Sequence, residues 1–135
     1  MERREHSAGE LFRKLSVRGY NETDIRNVID ELKEQGLQSD DRFTEVFVHS
    51  RTEKGYGPVR IMQDLRKRSI GDNLIRQFID VNDATWRQQA DRVREKRFGH
   101  NVPTDYKEKA KQSRFLQYRG FTTDQIRSVI NEGSV

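Results

Sequence analysis

The sequence predicts an all-α protein built as a tandem array of three-helix repeats, elongated and curved. Three observations point there. Three segments align without gaps at offsets of 50 and 51 residues: Glu10–Leu32, Arg60–Asn82 and Lys111–Gly133. Within them apolar residues recur at helical spacing, as in Ile25, Val28, Ile29 and Leu32. The chain has only two prolines, which leaves long helices uninterrupted.

The repeats coincide at positions with a physical role. Leu15, Leu65 and Leu116 align, as do Arg18, Arg68 and Arg119. Tyr20, Ile70 and Phe121 align, followed by Ile25, Ile75 and Ile126. Val28/Ile29 correspond to Phe78/Ile79 and Val129/Ile130. Between the two helices of each pair sits a turn. Gly19 and Gly120 suit a left-handed helix end, whereas the second repeat has Ser69 there and should be slightly strained or differently built. Asn21 and Thr122 suit the N-cap of the following helix. Ser7-x-x-Glu10 and Thr122-x-x-Gln125 read as capping boxes.

A further helix precedes the pair in the second and third repeats. Asp40 to Lys54 carries Phe43, Val46 and Phe47, with Ser39 or Asp40 at its start. Ala84 to Phe98 is its counterpart, with Trp86, Ala90 and Val93. The links differ. Gly55-Tyr56-Gly57-Pro58 places Pro58 in a first helical turn, and Gly99 to Thr104 offers Thr104 as an N-cap. The repeats therefore span 1–38, 39–82 and 83–135, and the first lacks room for its leading helix. Its opening reads either as a truncated start or as a naturally short N-terminus. Neighbouring repeats must stack to bury enough apolar surface, and stacked arrays present an extended binding face.

Composition excludes several classes. Leu, Ile, Val and Phe make up 32 of 135 residues, above the level of roughly 20% at which disorder becomes the better reading. No stretch approaches the roughly 20 apolar residues of a membrane span, and the start has no hydrophobic signal segment. The chain has no cysteine, which removes disulfides and thiolate chemistry and makes a reducing cytoplasm the default. His6, His49 and His100 lie far apart, so no metal or other cofactor is expected. Asp40-Asp41 reads as helix N-capping rather than metal binding. Gly55-x-Gly57 is too short for a dinucleotide fingerprint, and no phosphate-loop or nucleophile-elbow motif is present. No catalytic residue is expected.

Charge is unevenly placed. The net charge is +4, yet residues 1–50 carry 8 basic and 11 acidic groups, whereas residues 84–120 carry 10 and 4. A basic last third favours a polyanionic or acidic partner. Phe43, Phe47, Phe78, Trp86, Phe115 and Phe121 belong to the core, whereas Tyr56 is expected in an exposed link and Tyr118 facing solvent.

Several stretches are specific in combination. They are Arg4-Glu5-His6-Ser7 with Glu10-Leu11 and Lys14-Leu15, and Gly36-Leu37 with Asp40-Asp41-Arg42-Phe43. They continue with Arg51-x-x-Lys54-Gly55-Tyr56-Gly57-Pro58-x-Arg60-Ile61 and Lys96-Arg97-Phe98-Gly99. The last is Lys109-x-Lys111-x-x-Arg114-Phe115-Leu116-x-Tyr118-Arg119-Gly120-Phe121. With these residues the sequence resembles the bacterial RecX regulatory proteins, modulators of the RecA recombinase. The resemblance spans nearly the whole chain and departs from the family at the N-terminus, where a longer lead-in is usual.

The resemblance implies a non-enzymatic protein, likewise of three three-helix repeats, that lies along the RecA–DNA filament. It implies inhibition of filament growth, ATP hydrolysis, strand exchange and co-protease activity, within recombination, repair and the SOS response. Some family members also bind DNA. The contact residues favoured on charge and position are Arg51, Lys54, Tyr56, Arg60, Arg94, Lys96, Arg97, Lys111, Arg114 and Arg119. Arg68 and Arg119 also suit a structural role at a helix end. The rival reading is a basic protein that binds single- or double-stranded DNA directly, without RecA. The helix–turn–helix at 111–130 argues against it, because its second helix carries Asp124 and Glu132 and offers only Arg127 to a groove. A monomer is expected, since no heptad seam is sustained.

Overall fold

The computed structural model describes residues 5–131. Arg4, in the first of the family-like stretches, and Glu132 and Gly133, at the end of the third repeat, lie outside these residues. Among the described residues there are eight helices and no strand. They are α1 (Ala8–Val17), α2 (Glu22–Glu34), α3 (Asp40–Glu53), α4 (Pro58–Lys67), α5 (Asp72–Phe78), α6 (Ala84–Phe98), α7 (Tyr106–Arg119) and α8 (Thr123–Asn131).

Helix ends follow local chemistry. Ser7 caps α1 and Glu10 returns the bond to the Ser7 backbone, the reciprocal box read from sequence. The same exchange links Thr122 and Gln125 at 2.9 and 3.1 Å. Asn21 caps α2 through the Asp24 amide at 2.8 Å. Asp83 caps α6 by accepting from the Thr85 amide and hydroxyl, and these bonds hold its carboxyl below the usual range. One cap differs from expectation. Asp105, not Thr104, starts α7, accepting from the Glu108 amide at 2.7 Å. A carboxylate one residue nearer the helix wins that position because it also meets the positive end of the dipole. Asp40 also departs from its expected role. Ser39 supplies the hydroxyl that accepts from Arg42 at the start of α3, while Asp40 reaches the Ala8 amide at the start of α1, 2.8 Å away.

The chain forms two compact units. The first comprises residues up to Val48 together with Asp64–Phe78, and the second comprises His49–Gln63 with the rest of the chain from Ile79. Helices α3 and α4 thus contribute residues to both. In the first unit Ile25, Ile29, Phe43, Phe47, Leu65, Ile70 and Ile75 are buried. The Phe43 and Phe47 rings stack at 5.7 Å, and the Arg68 guanidinium lies 4.7 Å from the Phe47 centroid. The second unit has a continuous apolar cluster of Ala90, Val93, Leu116, Phe121, Ile126, Val129 and Ile130, with Phe115 packed against it. Trp86 is also buried, whereas Phe78 and Phe115 are only partly so. Two residues of the expected stripes are exposed, Val46 and Val28. On α3 the stripe closes through Phe43 and Phe47, one helical turn apart, and Val46 falls at its edge.

The inter-helix turns use positive φ as expected. Gly19 and Gly120 adopt φ of 93° and 99°, and Ser69 is held at 65°. A side chain in this region costs roughly 1–2 kcal/mol. Ser69→Gly is therefore expected to raise the unfolding free energy by about 1 kcal/mol in urea titrations. Gly9→Ala should do the reverse, because an added Cβ would stand 2.3 Å from the Ser69 Cβ.

Candidate functional site

The site is built where the link between α3 and α4 crosses the turn between α7 and α8, both in the second unit. The Gly57 amide donates to the Arg119 carbonyl at 2.8 Å, and the Val59 amide to the Gly120 carbonyl at 2.9 Å. Two backbones meet so closely only because both carry glycine. A Cβ on Gly57 would lie 2.6 Å from Gly120 backbone atoms, and one on Gly120 would lie 2.3 Å from the Arg60 Cβ. Pro58 is buried and opens α4, so its missing amide costs the helix nothing.

Three of the residues chosen from sequence fasten this crossing. Arg60 donates to the Tyr118 carbonyl at 3.3 Å, and Arg119 donates to the Lys54 carbonyl at 3.2 Å. Both guanidiniums stand over Tyr56, 4.6 and 5.5 Å from its centroid. Tyr56 is therefore half-buried between two cations instead of lying free in an exposed link. The alternation continues on either side. Arg60 is 5.5 Å from the exposed Tyr118 ring, and Arg119 is 5.1 Å from Phe115. Arg97 is 5.8 Å from Phe115, Phe115 meets Phe98 edge-on at 5.3 Å, and Lys111 stands 6.0 Å from Phe98. Cation–π contacts of this kind contribute roughly 0.5–1 kcal/mol each at exposed sites. The structural role expected of Arg68 is also present: it donates to the Asp64 carbonyl at 3.0 Å, in the last turn of its own helix.

Beside the crossing is an open depression of about 320 Å³. Its floor is Gly55, Val93 and Phe115, and its walls carry Lys54, Arg92, Lys96, Arg97 and Arg119 against a single acid, Glu53. Lys54, Lys96 and Arg97 are exposed, as are Lys111 and Arg114 on α7, while Arg51 is half-buried on α3. Arg92 was not singled out from sequence. The available signal was its position one turn before Lys96 on α6, which places both on one helix face. Five cations around an apolar floor suit phosphate or carboxylate groups presented along a chain. Among the described residues, no cluster of His, Cys, Asp or Glu is arranged to hold a metal ion, and no helix is long and apolar enough to cross a membrane.

Arg94 does not belong to this surface. It is 1% exposed and turned inward, where it donates to the carbonyls of Gly99 and Asn101 at 3.3 Å and of His100 at 3.5 Å. Asp91 and Glu95 lie 3.5 and 3.9 Å from its guanidinium. The reason is its register. Arg94 follows Val93 on the buried side of α6 and meets the chain that folds back after Gly99, where carbonyls at a helix end need a donor. Its Nε has no partner. Arg94→Met is expected to lower stability by about 1–3 kcal/mol, because the carbonyls of Gly99, His100 and Asn101 lose a charged donor. Gly57→Ala should cost about 1–3 kcal/mol by forcing the crossing apart. Urea unfolding measures both, and near-zero values would mean that neither contact restrains the fold.

Comparison with known proteins agrees along the whole chain. Three family models match in succession: "RecX, first three-helix domain" over residues 1–32, the second over 39–78 and the third over 87–130. "Regulatory protein RecX" of Halorhodospira halophila is 48% identical over 126 residues, covering 93% of this chain and 78% of that protein. The Acinetobacter baylyi protein of the same name is 42% identical, covering 96% and 80%. The crystal structure of RecX from Lactobacillus salivarius superposes with a TM-score of 0.78 at 24% identity, covering 96% of this chain and 86% of that one. With three consecutive domain matches and relatives approaching half identity over nearly its full length, the chain belongs to the RecX family of regulatory proteins.

Proposed function

We propose that this protein is a non-enzymatic regulator that binds the RecA–DNA filament in the cytoplasm and inhibits RecA ATP hydrolysis, strand exchange and co-protease activity. The observation that carries the proposal is the basic depression of the second unit, found in a chain of the RecX family. Lys54, Lys96 and Arg97 with the added Arg92 make the contact, extended by Lys111 and Arg114 along α7 and by Arg51 on α3. Tyr56, Arg60 and Arg119 act mainly by holding the surface in shape, and Arg94, turned to the 99–101 segment, takes no part in the contact. A nucleoprotein filament presents both phosphates and acidic protein side chains, and the surface matches either. The protein acts as a monomer in this reading, and no substrate is turned over.

The test is DNA-dependent ATP hydrolysis by RecA from the same organism, with this protein titrated from substoichiometric to equimolar amounts. Suppression is expected, weakening as salt rises from 50 to 200 mM, since phosphate contacts are lost with counterion return. Lys96→Glu with Arg97→Glu should shift half-inhibition to at least about tenfold higher concentration. Unchanged inhibition by this double variant would remove the depression from the mechanism. Tight duplex binding without RecA, with a base-sequence preference, would instead support direct DNA binding.

A further inference from the structure

The depression of the second unit gathers positive charge almost without counter-charge. Lys54, Arg92, Lys96, Arg97 and Arg119 line it, with Glu53 as the one acid. Glu53 itself lies 3.7 Å from His49. Among the described residues, none of the five cations forms an ion pair with a carboxylate. Elsewhere arginines do find acids, as Arg26 meets Glu22 at 2.5 Å and Arg66 meets Asp72 at 2.9 Å. In the depression neutral groups hold two of the guanidiniums: Arg92 donates to the Gln89 side-chain oxygen and Arg119 to the Lys54 carbonyl. Like charges gathered this closely repel one another, and a bound anion relieves that repulsion.

Shape narrows the choice of anion. The depression encloses about 320 Å³, the scale of a small ligand. Its floor is apolar, with Val93 buried and Phe115 half-buried. Gly55 keeps that floor open, because a Cβ there would stand 3.5 Å from both Val93 Cγ2 and Arg119 Nη1, between floor and wall. The Arg97 and Arg119 guanidiniums lie 5.8 and 5.1 Å from the Phe115 centroid, so a planar ring meets flat cations as well as an apolar surface. Inorganic phosphate would leave this floor uncovered. An acidic peptide spreads its carboxylates along an extended backbone, and a nucleic-acid strand carries one charge per nucleotide. A nucleoside triphosphate gathers several charges on adjoining phosphates and joins them to a flat base.

We propose that this depression binds a free nucleoside triphosphate. Lys54, Arg92, Lys96 and Arg97 hold the phosphates, and the base covers Val93 and Phe115 beside the Arg119 guanidinium. The same cations make the proposed filament contact, so nucleotide and filament exclude one another there. Nucleotide binding needs only this chain and does not rest on the filament reading.

The test is isothermal titration calorimetry of the full chain with ATP, at low salt and without divalent metal. Saturable one-to-one binding is expected, and saturating ATP should raise the unfolding temperature. Lys96→Glu with Arg97→Glu should weaken binding at least about tenfold. Both side chains are exposed, so this variant keeps its fold, which circular dichroism verifies. Lys107→Glu with Arg127→Glu makes the same change of charge at exposed positions outside the depression, and should shift affinity less than about twofold. Inorganic triphosphate should bind at least about fivefold more weakly than ATP, because it leaves the apolar floor bare. Equal weakening by the two double variants, equal affinity for inorganic triphosphate, or no saturation by millimolar ATP would each overturn the proposal. A single-stranded oligonucleotide that saturates the depression where ATP does not would overturn it too, assigning the surface to a strand. Inhibition of RecA by a chain that binds no ATP would leave the filament reading standing and remove only the nucleotide site.

Discussion

The close crossing of Gly57 over Gly120 is the constraint on which the candidate surface depends. Two amide–carbonyl bonds of 2.8 and 2.9 Å tie a four-residue link to a turn more than 60 residues later. No side chain fits between them. Once the backbones are fixed, Arg60 and Arg119 each find a carbonyl on the opposite segment, and Tyr56 is left between their guanidiniums. The depression follows from the same geometry, since Gly55 and Arg119 form part of its floor and wall. A glycine pair thus sets the position of a basic surface without contributing any charge to it.

Charge on this protein divides into two kinds by burial. Arg94, Arg60 and Arg119 direct their donors to backbone carbonyls, so their charge serves to finish helix ends and links. Lys54, Lys96 and Arg97 extend into solvent and remain available to a partner. A polar chain with short helices needs the first kind. Each unit has a thin core, and short helices leave many terminal carbonyls without an intrahelical donor. Arginine is suited to this because one planar fork reaches several acceptors at once.

The repeats also show how one pattern yields unequal surfaces. The same apolar stripe is sealed by α6 in the third repeat and open at Tyr20 and Val28 in the first. The turn that is relaxed at Gly19 and Gly120 holds a serine at positive φ in the second. Repetition fixes the helix pairs, whereas differences at the edges decide where the protein is strained, where it is closed and where it is available.

The sequence by itself determined the helical class, the repeat offsets, most helix ends and the concentration of positive charge late in the chain. These are local or periodic properties. Caps act within three residues, apolar stripes recur every turn, and a left-handed turn asks for glycine wherever it occurs. The family was legible too, because its motifs are contiguous. Tertiary structure alone decided which arginines face outward. Arg94 and Lys96 are two residues apart on one helix, yet one is buried and the other exposed. Tyr56 looked free in its link because the cations that enclose it come from Arg60 on the next helix and Arg119 far along the chain. Arg92 joined the surface through α6 packing, which spacing does not rank above other basic residues. Val28 looked buried because Val129 at the same repeat position is, yet it is exposed while Ile25 and Ile29 on its stripe are buried. Local sequence specifies what each residue can satisfy; long-range packing specifies which partner satisfies it.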